Sequence, residues 1–110
     1  MDRKTLEIVR RFVNAFEELG IRVESIMVFG SSSHGKTGPD SDLDLAVISQ
    51  DFEGLSLFER IEITSSARTN ARLYERPMDI LAYTPDELAR AEEGSFLADE
   101  IRGKGILIRV

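Results

Sequence analysis

Two apolar runs of strand length, Ser25 to Phe29 and Leu43 to Ile48, bracket the polar turn GSSSHGKTGPDS, and this arrangement constrains the chain more than any other feature. Thr37 is followed by Gly38, Pro39 and Asp40, residues that break a helix, so the turn is expected to lead from strand to strand. Alternation along Leu43, Asp44, Leu45, Ala46 and Val47 sends Asp42 and Asp44 to one face of the second strand and Leu43, Leu45 and Val47 to the other. One face is core, and the other presents two carboxylates.

The remaining segments fit around that pair. Leu6, Val9, Phe12, Val13, Phe16 and Leu19 recur at helical steps after a capping Asp2, and Gly20 supplies the stop; this stripe is expected to be core. Leu57, Phe58, Ile61, Ala67, Ala71 and Tyr74 follow a second helical period, weakened by Ile63 and Thr64. Pro77 marks the exit into a third strand, Met78 to Tyr83. Thr84, Pro85 and Glu87 stand at the cap, first and third positions of a further helix. Ser95 caps a short last helix through Phe96, Leu97 and Ile101, and Ile106 to Val110 reads as a final strand. The fold class is therefore mixed, α/β in the α+β sense: a small mixed β-sheet with flanking helices in one domain of 110 residues.

Composition narrows the chemistry. At 42% apolar and 31% charged, the chain is of ordinary soluble globular type. A net charge of -6 disfavours a polyanionic partner such as nucleic acid. With no cysteine and one histidine, thiolate chemistry and ordinary zinc clusters are excluded, so a metal would be held by oxygen. No signal peptide or membrane span is legible in the sequence, and the expected compartment is the cytoplasm.

The turn fits two phosphate-binding patterns. Gly30 through Gly35, Lys36 and Thr37 match G-x-x-x-x-G-K-[ST], the P-loop of nucleotide hydrolases. A P-loop runs straight into a helix whose amides cradle phosphate, and Gly38-Pro39-Asp40 opposes that. The second pattern is Gly30-Ser31, ten residues, then Asp42-Leu43-Asp44. It resembles the G-S-x10-D-x-D signature of the DNA polymerase beta-like nucleotidyltransferases, in particular their minimal group. A third carboxylate, Asp79 in PMDIL, and the ending SFLADEIRGKGILI extend the resemblance over nearly the whole chain. His34 stands where many members carry arginine.

The residues suit such chemistry. Paired carboxylates repel one another unless a cation lies between them, and magnesium takes carboxylates, waters and phosphate oxygens. Gly30 lets the backbone approach a ligand, and the Ser31 hydroxyl and neighbouring amides can donate to phosphate, with His34 and Lys36 as auxiliary contacts. Asp79, flanked by Met78, Ile80 and Leu81, reads as a buried carboxylate that must be paired or metal-bound.

The resemblance implies a nucleotidyltransferase fold, two Mg2+ ions on Asp42, Asp44 and Asp79, ATP as substrate, and transfer of AMP to a hydroxyl. It also implies a helical HEPN-type toxin as acceptor and partner, with this chain as antitoxin in a homo- or hetero-oligomer. A noncatalytic nucleotide-binding antitoxin or regulatory subunit is the alternative reading, motivated by His34, and a P-loop hydrolase is the third.

Overall fold

The computed structural model describes residues 3–30, 42–74 and 76–110. Helix α1 spans Arg3–Glu18 and buries Thr5, Ile8, Val9, Phe12, Val13, Ala15 and Phe16. Val9, Phe12, Val13 and Phe16 of the expected stripe are core, and the stripe differs at its two ends. Leu6 and Leu19 are exposed, because Thr5 turns inward to accept a hydrogen bond from the buried Arg76 guanidinium at 3.3 Å, and Leu19 lies beyond the helix end. Gly20, at φ +84°, makes the left-handed turn that stops the helix. The capping role expected of Asp2 falls outside the described residues.

Four strands form one mixed sheet: β1 Ser25–Phe29, β2 Leu43–Ile48, β3 Met78–Tyr83 and β4 Ile106–Arg109, in the order β3-β2-β1-β4. β1 runs antiparallel to both β2 and β4, and β3 runs parallel to β2. A parallel neighbour needs a long crossover, which is supplied by α2, Leu57–Asn70. Ser56 and Glu59 close a capping box at its start. At its other end, Arg11 of α1 donates to the carbonyls of Ala71 and Arg72 at 2.7 and 3.1 Å, a cation placed on the negative end of the helix.

Strand alternation gives the sheet two different faces. Ile26, Val28, Leu43, Leu45, Val47 and Met78 pack against Phe12 and Phe16 of α1 and against Ala67 of α2 in the main core. Met27, Phe29, Ala46 and Ile48 point the other way. They meet Ile101 and Leu97 of a short π-helix, Leu97–Arg102, designated α4, and Leu88 of α3, Pro85–Arg90. Thr84 and Glu87 form the capping box expected at the start of α3, and the Ser95 hydroxyl accepts from the Ala98 amide.

The second helical period forms α2, which ends at Asn70, so Tyr74 lies beyond it. Its core-facing residues include Thr64 and Ala67, while Leu57, Phe58, Ile61 and Tyr74 are exposed. Arg60 occupies a position an apolar residue would ordinarily fill. Its Nε donates to the Leu55 carbonyl, Nη1 to the Ala82 carbonyl and Nη2 to the Phe52 carbonyl, each at 3.0–3.1 Å. The guanidinium also grips Glu87 with both nitrogens. The apolar neighbours of Arg60 are thereby turned outward.

Candidate active site

The site grows from the sheet register. Phe29 stands opposite Asp44 on β1 and β2, and Asp44 stands opposite Asp79 on β2 and β3. Residues directly opposite share a face, so Phe29, Asp44 and Asp79 form one row. The next row, Met27, Ala46 and Leu81, is apolar and packs in the cluster that α4 covers. The carboxylates therefore lie at the end of the sheet face, beyond the apolar rows.

Gly30 immediately follows Phe29 and adopts φ +68°. A Cβ built there would run into the Asp44 carboxylate, meeting Oδ2 first and Cγ at 3.1 Å. Glycine is required twice over, by its left-handed backbone and by the close approach to Asp44. The Gly30 and Asp44 halves of the sequence pattern, fourteen positions apart in the chain, are in contact distance of each other in the fold.

Asp44 is half-buried, and its pKa is raised. Desolvation is the main cause, followed by repulsion from Asp79, a hydrogen bond with Asp79, and repulsion from Asp42. The structure thus brings Asp44 and Asp79 side by side, with Asp42 close enough to act through its charge. Asp42 is exposed and sits just before β2. Asp79 is also exposed, which corrects the expectation of a buried carboxylate. β3 is an edge strand, so the apolar neighbours Met78, Ile80 and Leu81 do not enclose it. Ser31, His34 and Lys36 lie outside the described residues.

Among the described residues no three His, Cys, Asp or Glu side chains converge as a ready metal cluster. The pair that does meet nevertheless suits a divalent cation of magnesium type: two oxygen-only donors, one already half-desolvated and repelled by its neighbour. Magnesium completes its shell with water and substrate phosphate rather than with an all-protein cage.

The antiparallel arrangement of adjoining β1 and β2 also differs from a P-loop, in which the strand feeds a helix and a parallel crossover. A mixed sheet with paired carboxylates beside a glycine turn defines a group-transfer domain of nucleotidyltransferase type. Residues 9–108 match the family model of the nucleotidyltransferase domain, and the chain belongs to that family.

No curated protein matches the sequence. Among solved structures, a candidate nucleotidyltransferase from Sulfolobus solfataricus is similar, with 17% identity and a TM-score of 0.53 over 97% of this chain and 87% of that one. The BolA domain of SufE1 from Arabidopsis thaliana is similar as well, at 18% identity and a TM-score of 0.52 over 79% of this chain and 98% of that one. BolA1 from the same plant has 18% identity and a TM-score of 0.51 over the same shares. Differently named proteins thus share this arrangement of helices and sheet, and function must be argued from the site.

Beside the row stands a residue that motif reasoning passes over. Phe96, which the sequence suggests is an ordinary member of the last helix, is 54% exposed and rests against Phe29, with ring centroids 5.8 Å apart and planes at 83°. Its only sequence signal is the position after the capping Ser95; the contact with Phe29 is long-range.

Proposed function

We propose that the protein transfers a nucleoside monophosphate, AMP from ATP, to a hydroxyl of a partner protein, using magnesium held by Asp42, Asp44 and Asp79. The observation that carries this reading is the adjacent Asp44 and Asp79 pair, with Gly30 holding the main chain against Asp44. Magnesium bound there would neutralise charge on the attacking and leaving oxygens of an in-line displacement. Gly30 gives the phosphates a close approach to the backbone, and Ser31, His34 and Lys36 extend the phosphate contacts. Asp79, exposed on the edge strand, accepts the proton of the incoming hydroxyl. The acceptor oxygen bonds to the α-phosphorus, the bridge to the β-phosphate breaks, and pyrophosphate leaves.

A protein acceptor is supported by the surface of α2, where Leu57 and Phe58 are 72% and 69% exposed and Ile61 lies beside them. Adjoining apolar side chains left in solvent mark a contact surface. A helical HEPN-type toxin, with this chain as its antitoxin, is the partner named by the family resemblance. The second reading, a noncatalytic nucleotide-binding antitoxin, rests on His34 standing where many members of the resembled group carry a permanently charged arginine.

The partner copurified with the protein, incubated with ATP and magnesium, gains the mass of one or more adenylates by intact-mass measurement. Asp42→Asn combined with Asp44→Asn abolishes the gain. An unmodified partner that is still neutralised by the double variant overturns transfer in favour of the noncatalytic reading.

A further inference from the structure

The row that carries Asp44 and Asp79 ends in an aromatic pair. Phe29 is 6% exposed, on the same face as Asp44 and directly opposite it. Phe96 meets that buried ring in a T-shaped contact, yet leaves 54% of its own surface in solvent. It immediately precedes α4, whose Leu97 and Ile101 join the apolar cluster of Met27, Ala46 and Ile48. The helix therefore closes the apolar rows, and its leading aromatic reaches the row of the carboxylates. An aromatic ring held by packing on one side and open to solvent over about half its surface loses little freedom on stacking a planar ligand.

We infer that Phe96, seated on Phe29, is the stacking platform for the nucleobase of the nucleotide whose phosphates bind at Gly30, Asp42 and Asp44. This rests on the nucleotide site proposed above and adds its base-binding half. A π-face is tolerant of base identity, so the platform supplies affinity for nucleotides over bare polyphosphate without selecting the base. It touches no phosphate. Its contribution is therefore separable from that of the carboxylates.

The test compares two probes, magnesium with ATP and magnesium with inorganic tripolyphosphate, titrated calorimetrically into wild type, Phe96→Ala and Phe96→Trp. Loss of one stacked base weakens ATP binding by Phe96→Ala about tenfold, leaves tripolyphosphate binding unchanged, and is restored by Phe96→Trp. Equal ATP affinity in wild type and Phe96→Ala overturns the platform while leaving the phosphate site standing. A parallel loss of tripolyphosphate binding also overturns it, by showing that the residue merely supports the fold. If wild type binds neither probe, the nucleotide site itself fails and the platform with it.

Discussion

Asp44 shows how one side chain can work against the fold it belongs to. Burial raises its pKa, and Asp79 and Asp42 push in the same direction. A carboxyl with a raised folded pKa holds its proton more tightly in the folded than in the unfolded chain. The stability it contributes is complete below the unfolded value of about 3.9 and is lost as pH rises through the higher folded value. At pH 7 without metal, the ionised cluster opposes folding, and a divalent cation bound only by the folded state relieves it. Asp44→Asn should thus raise the unfolding midpoint in chelator at pH 7, flatten the decline in stability above about pH 4, and remove stabilisation by magnesium. Thermal melts across pH, with and without magnesium, check this; a lower midpoint for Asp44→Asn in chelator at pH 7 would sink it. Gly30 is the complementary case, a residue whose missing side chain is the functional feature, since any Cβ would displace the Asp44 carboxylate.

Among the elements, the strands were the most legible. The apolar runs 25–29, 43–48 and 78–83 coincide with β1, β2 and β3, because both faces of this sheet carry apolar clusters and its strands are apolar at most positions. The cap of α3 was legible for a local reason, since Thr84 and Glu87 bond within a few residues of themselves; Ser95 also bonds locally, to Ala98, but the residue at the cap of α4 is Phe96. The helical period of α2 was legible, but not which of its faces turns inward: Arg60 holds the inward position through partners on three other segments, and no local pattern encodes those partners. Its bond to Ala82 falls on the side of β3 facing away from β2, which blunts the open edge of the sheet. Arg60→Ala leaves three main-chain carbonyls without this donor and Glu87 without its cation, and should destabilise the fold by about 2–3 kcal/mol. Arg60→Lys, lacking the planar fork, should recover only part of that. Denaturant titration measures both; a loss below about 0.5 kcal/mol for Arg60→Ala would match an ordinary surface site and contradict the role.

At the scale of the molecule, the sheet divides labour between its faces. One carries the main core on α1 and α2, and the other is covered by α4 only as far as the apolar rows, leaving Phe29, Asp44 and Asp79 at the open end. The DxD spacing and its glycine made the grouping of Gly30, Asp42 and Asp44 legible, because same-face geometry in a strand follows from period alone. The exposure of Asp79 and the placement of Phe96 depend on strand order and on a contact spanning much of the chain, which no spacing rule contains. No described helix is long and apolar enough to cross a membrane. Transfer at the α-phosphorus is distinguished from hydrolysis at the terminal phosphate by incubating the protein and its copurified partner with ATP labelled at either the α- or the γ-phosphate. If this open end performs the proposed transfer, the α-label becomes covalently attached to protein, the γ-label leaves as pyrophosphate, and both events vanish in Asp44→Asn. Release of the γ-label as inorganic phosphate, with no α-label on protein, would contradict it.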